Sequence, residues 1–144
     1  MYEITKQKTR GFYIVLGIIV FAFISMVLKM AFYERQTTLN DDLITAANNI
    51  NKHAPIVIDS ATRFDYVNAL AGNIFQYNYT LTTMDSADVD KTQLKYIAKA
   101  NLLEQSKKNP KASFFRDNNI ELQVRYSDKN GKYITTVSLF PNEY

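Results

Sequence analysis

Four polar side chains lie close together in the sequence: Asp59, Thr62, Arg63 and Asp65. Two carboxylates beside a guanidinium can bind an anion, or can run acid–base chemistry in which one group takes the proton another gives. The same spacing suits a turn, with Asp59 and Ser60 bonding nearby amides and Arg63 neutralised by a carboxylate. The turn is the preferred reading. His53 is the one histidine, so no site needing two imidazoles can form, and its place beside Pro55 suits a helix end better than a general base. Asp85, Asp88 and Asp90 lack the spacing and the glycine of a calcium loop and read as helix-capping acids. Lys91, Lys95 and Lys99 recur at i, i+4 and i+8, a basic stripe that could meet acidic headgroups or an acidic protein, or simply solvate a helix face. Tyr77 and Tyr79 could offer a binding surface, though alternating aromatics on one strand are more often core. There is no Cys, which excludes disulfides, thiolate metal sites and a cysteine nucleophile. No phosphate-binding loop, G-x-S-x-G, H-E-x-x-H or dinucleotide fingerprint is present. These residues predict a chain that is not an enzyme and needs no metal or cofactor.

Charge narrows the partners. The 144 residues carry a formal charge of +3, and the pI near 9.0 invites a nucleic-acid reading. Divided along the chain, the excess comes entirely from Lys6, Lys8, Arg10 and Lys29, offset by Glu3. From residue 30 onward thirteen basic residues meet thirteen acids. A neutral domain does not bind a polyanion, so no nucleic acid is expected.

Those early cations flank an apolar run. Gly11 to Leu28 is eighteen residues without a charge, about 27 Å of helix at ~1.5 Å per residue. Phe12 and Tyr13 at one end and Phe32 and Tyr33 at the other resemble interfacial belts. The run exceeds a secretory signal core and lacks an A-x-A-like site, so an uncleaved anchor is preferred. The expectation is a cytoplasmic tail over 1–10, a transmembrane signal-anchor helix over 11–32, a membrane-proximal helix over 33–54 and a periplasmic domain over 55–144. Lys6, Lys8 and Arg10 set that orientation against Lys29 and Arg35. Partners are then the lipid bilayer and another membrane or periplasmic protein; a homo-oligomer is possible but not indicated.

The outer part follows two periodicities. Leu39, Leu43, Ala46, Ala47 and Ile50 fall at helical spacing before Lys52-His53-Ala54-Pro55 ends the helix. Ile56–Asp59 reads as a short edge strand. Thr62–Ala69 and Ile74–Thr82 form a hairpin, the second with Phe75, Tyr77, Tyr79 and Leu81 alternating with polar residues. A helix spans about Asp88 to Lys107, with Leu94, Ile97, Ala98 and Leu102 as its apolar stripe. A final hairpin turns at Asn130-Gly131, where glycine supplies positive φ. The expected fold class is α+β: an N-terminal transmembrane helix followed by an α-β-β-α-β-β domain with one antiparallel sheet and helices on one face.

Three stretches carry a family resemblance: Pro55–Arg63, Tyr77–Leu81 and Tyr126–Ile134. Through them the chain resembles a loose group of small uncharacterised bacterial membrane-anchored envelope (periplasmic) proteins. The resemblance implies a bacterial envelope location and transfers no activity. The expected function is a single-pass inner-membrane protein whose periplasmic domain binds a protein partner, as an accessory or envelope factor, with an immunity or exclusion factor as one variant. The alternative rests on Arg10-Gly11-Phe12, which resembles a type IV prepilin start, with Leu16 where most pilins have Glu. That reading makes the chain a pilin-like or pseudopilin-like structural subunit.

Overall fold

The computed structural model describes residues 2–144, with side chains at 22, 24–35 and 38–144. The chain divides into two compact units, 1–38 and 39–144. Helix α1 runs from Tyr2 to Asn51, so it passes through residues 32 and 33 without a break. Among the described residues no helix is long and apolar enough to cross a membrane, which corrects the expected transmembrane helix. The described part of α1 is divided by Lys29, Glu34, Arg35, Asp41 and Asp42, leaving only short uncharged stretches. The apolar run at 11–21, the topology residues Lys6, Lys8 and Arg10, and the prepilin-like Gly11-Phe12 junction lie outside the described side chains. Lys29 is exposed.

In the second unit, five strands form one sheet in the order β1 (Ile56–Val57), β2 (Thr62–Leu70), β3 (Ile74–Leu81), β4 (Glu121–Ser127) and β5 (Tyr133–Leu139). The sheet is mixed, not antiparallel as expected. β3 and β4 run parallel, with Phe75 opposite Leu122 and Tyr77 opposite Val124. Parallel neighbours need a crossover. Here the chain leaves the end of β3, returns through α2 (Lys91–Lys108) and α3 (Ala112–Asp117), and enters β4 at the same end where β3 began. Asp90 caps α2, accepting from the amides of Thr92 and Gln93 at 2.9 and 3.0 Å. The cap therefore lies two residues later than the Asp88 start expected from sequence.

Alternation sorts the sheet into two faces. Phe64, Val67, Phe75, Leu122 and Leu139 point to the helices and form a buried core with Leu43, Ala47 and Ile120. Leu39, Ala46 and Ile50 pack against that core, so the helical stripe read from the sequence is the stripe that docks. The opposite face is polar. Gln76 donates to Gln123 at 2.7 Å, and Asp65, at a bulge in β2, accepts from Arg63 and Thr80 at 2.5 and 2.6 Å. Asn51 finishes α1 by standing in for a missing strand. β1 covers β2 only at Arg63 and Phe64, and further along the Asn51 amide donates to the Val67 carbonyl (2.9 Å) and accepts from its N–H (2.8 Å). An exposed edge is thereby partly closed by a side chain.

Asp128 ties the second hairpin to the loop before α2. Its carboxylate is nearly inaccessible and accepts from the amides of Ser86, Asn130 and Lys132 at 2.9–3.0 Å. Asp85 reinforces the junction by pairing with Lys129 at 2.6 Å and accepting from Asn130 at 2.9 Å. Burial alone would push the Asp128 carboxyl up, but the backbone donors and the Ser86 side chain outweigh it and hold it below the ordinary aspartate range. A lowered folded-state value means the unfolded chain binds the proton more readily. This stabilisation is complete above the unfolded value of about 3.9 and is lost as pH falls through the lower folded one. Acid titration of unfolding is expected to show a steeper loss of stability below about pH 4 in the natural chain than in Asp128→Asn. Equal slopes would remove Asp128 from the acid response.

Candidate functional site

The helices do not cover the whole sheet. The Leu39–Asn51 part of α1 packs with Phe64, Val67 and Phe75, while α2 lies against β5 and is held there by Lys99, which pairs with Glu143 at 2.6 Å. The Lys99 ammonium, with the Phe140 N–H, lowers the Glu143 carboxyl. What remains between the sheet and α2 is a cleft of about 750 Å³.

Its floor is aromatic. Tyr77 and Tyr79 of β3 and Tyr126 of β4 lie half-buried along it, with Tyr79 and Tyr126 stacked at 5.7 Å and Phe75 edge-on to Tyr77 at 5.5 Å. Burial, together with the neighbouring Tyr79, pushes the hydroxyls of Tyr77 and Tyr126 up to about 12. Both therefore stay protonated at any physiological pH and keep a donor to offer. One wall is α2, through Leu94, Ile97, Ala98, Asn101, Leu102 and Gln105. Ile58, Asp59 and Thr62 close one end; Asn109, Ala112 and Phe115 close the other. Ile97 is 46% exposed and Ile58 56%, so apolar surface faces solvent where a packed core would hide it. Apolar side chains interleaved with amides, hydroxyls and one carboxylate suit an amphipathic ligand that packs apolar groups and hydrogen-bonds at several points. Among the described residues no cluster of three or more metal-ligating side chains occurs.

The residues singled out in the sequence are scattered around this cleft. Asp59 lines it, exposed, with its Oδ1 accepting from the Ala61 amide at 2.7 Å in a turn. Arg63 pairs with Asp65 on the polar side of the sheet, so the Asp59, Arg63 and Asp65 group is not gathered into one site. His53 is exposed just after α1. Lys91, Lys95 and Lys99 are exposed on α2 but none of them lines the cleft. Ile97, Asn101 and Gln105 carried no sequence signal as a site. The one clue was three tyrosines at inward positions on two strands, since a half-buried tyrosine keeps its polar tip where it can be wetted or bound.

Neither a protein-family model nor a curated protein matches the sequence. The fold, however, recurs among solved structures. A Pseudomonas aeruginosa protein assigned as secreted superposes with a TM-score of 0.61 at 12% identity, over 74% of this chain and 93% of its own. The pilotin EpsS of the Vibrio vulnificus type 2 secretion system gives 0.60 at 11% identity, over 76% and 94%. AspS, the type II secretion pilotin of Vibrio cholerae, gives 0.56 at 13% identity, over 79% and 99%. The chain shares its fold with these three proteins. EpsS and AspS are pilotins, not pilins, and the pilin-like alternative gains nothing from these structures.

Proposed function

We propose that this chain is a non-enzymatic accessory protein of a bacterial envelope assembly, akin in role to the type II secretion pilotins, and that its periplasmic domain holds a segment of a protein partner in the cleft between α2 and the sheet. The observation that carries this is the cleft itself: a long trough of mixed polar and apolar lining with exposed Ile97 and Ile58, in a domain whose fold two secretion pilotins share. The floor also restricts the form of the partner. It is made of β3 and β4, each already paired on both sides, so no free strand edge is offered for an extended peptide to join. A segment bound here must then satisfy most of its own backbone, which a helix does and an unpaired strand does not.

Ile97→Asp tests the reading. Ile97 is half exposed, so the substitution leaves the core intact, yet it puts a carboxylate where an apolar partner surface must pack. Loss of one buried isoleucine contact, about 1.5–3 kcal/mol, corresponds to a tenfold or greater weakening. Affinity purification of the tagged full chain from its native host, with partners identified by mass spectrometry, should show one protein retained by the natural chain and depleted about tenfold or more by Ile97→Asp. Equal recovery with a variant that circular dichroism shows to be folded would sink the proposal.

A further inference from the structure

We infer that the polar face of the sheet, opposite the cleft, binds an acidic saccharide, with Arg125 taking its carboxylate and Tyr66 and Tyr133 stacking on its rings. Within the second unit no helix covers this face. Leu43 of α1, Leu102 of α2, Phe115 of α3 and the C-terminal Tyr144 all pack on the core side. Strand register sets the layout. Tyr66 of β2 lies opposite Asn78 of β3, and Asn78 lies opposite Arg125 of β4. Toward β5, the Arg125 guanidinium carbon stands 4.9 Å from the centre of the Tyr133 ring. Three strand spacings separate the two tyrosines, about 14 Å at ~4.8 Å each. Both rings are accessible, Tyr66 at 46% and Tyr133 at 49%. Between them β3 makes a low polar floor, with Gln76 9%, Asn78 5% and Thr80 8% exposed.

Hydrogen bonds hold the floor in place. Gln76 donates to Gln123, and Gln123 donates to Glu121 at 2.8 Å. The Asn78 amide donates to the Tyr66 and Gln76 carbonyls at 3.4 and 3.3 Å, and Asp65 is neutralised by Arg63. Arg125 differs. It is half-buried, yet its N–H donors meet no carboxylate and no other acceptor among the described residues. Tyr133 holds the plane of the guanidinium, which presents its fork to a bidentate acceptor. Lys132, exposed in the adjoining turn and likewise without an ion pair, adds to the positive field. Nearby acids do not cancel it. Asp128 is buried among its amide donors, and Glu121 lies about 13 Å along β4 at ~3.3 Å per residue. The floor gives an apolar side chain nothing to pack on, and β3 is paired on both sides, so no backbone edge invites a peptide. A saccharide suits this surface. Its C–H faces stack on the two tyrosines, and its hydroxyls donate to the side-chain oxygens of Asn78 and Gln76, which accept from no described residue.

The probe is tri-galacturonate, with maltotriose as the neutral trimer and a triglutamate peptide as the acidic ligand without sugar rings. Binding to the purified full chain is read by isothermal titration calorimetry. Tri-galacturonate should bind about tenfold or more tightly than either control, since each control lacks one half of the recognition. Arg125→Gln should weaken it by about tenfold or more. Arg125→Lys keeps the charge and the contact with Tyr133 but not the fork, and should weaken it by roughly three- to tenfold. Tyr66→Ala should weaken tri-galacturonate and leave triglutamate unchanged. Ile97→Asp, on the other face, should leave tri-galacturonate binding as it is, so this site stands or falls separately from the cleft. Triglutamate binding as tightly as tri-galacturonate overturns the saccharide in favour of an acidic peptide. Unchanged affinity in an Arg125→Gln variant that circular dichroism shows to be folded, or no binding of tri-galacturonate to the natural chain, overturns the site.

Discussion

Phe75→Ala is expected to destabilise the domain by about 3–5 kcal/mol, measured as a fall in the urea midpoint at unchanged slope. Phe75 is wholly inaccessible and occupies the central strand, where its ring meets Tyr77 edge-on at 5.5 Å and Phe115 at 5.1 Å. It therefore joins three parts of the fold that are far apart in sequence: the core under α1, the floor of the cleft, and α3. Truncation leaves a void between a sheet and helices that cannot both collapse onto it, so cavity cost adds to lost burial. A domain of this size has about 5–15 kcal/mol in total, and the variant stands near the edge of folding at 37 °C. Phe114, on the same helix as Phe115 but 38% exposed, is the control. Its replacement by Ala should cost well under half as much. Comparable losses from the two would mean that Phe75 is not the centre of this core.

Phe75 also shows what could be read in advance. It belongs to the alternation of Phe75, Tyr77, Tyr79 and Leu81 with polar residues, and that alternation fixes strand, face and burial together. Asn130-Gly131 likewise marked a turn, and Gly131 does adopt φ of 80°. Local pattern is silent about neighbours. Nothing in Ile74–Leu81 or Glu121–Ser127 reveals that these strands lie side by side and parallel; that follows from where α2 and α3 deliver the chain, a long-range outcome. The same limit hid the cleft. Ile97 sits in an apolar helical stripe and reads as core, but α2 rests against β5 and leaves that part of its stripe over open space. Asp128 and Asn51 read as turn and helix-end residues, because the Ser86 amide that Asp128 satisfies and the Val67 amide that Asn51 satisfies come from segments 42 and 16 residues away. The expected membrane helix failed differently. Its run of uncharged residues falls mostly outside the described side chains, and the charges from Lys29 onward break up the remainder of α1.

Leu43→Ala is expected to cost about 2–5 kcal/mol and to act through the docking of Leu39–Asn51. Leu43 is 1% exposed and belongs, with Ala47 one turn on, to the buried cluster built on Phe64, Val67 and Phe75. These are the residues by which α1 holds to the sheet, for Leu39, Ala46 and Ile50 are only partly covered. Ile44, next in sequence but 41% exposed, points off this stripe, and Ile44→Ala should change stability by less than about 1 kcal/mol. The contrast within one turn of helix separates loss of docking from loss of helix propensity, since both variants introduce the same alanine. A second readout reports on the mechanism. The Val67 N–H donates to the Asn51 side chain, so its protection from hydrogen exchange depends on the end of α1 staying in place. In Leu43→Ala the Val67 amide should exchange faster relative to that of Tyr77, an interior position of β3. Equal acceleration at both sites would mean that Leu43 supports the fold only globally and that α1 does not come away from β2 as a separate step.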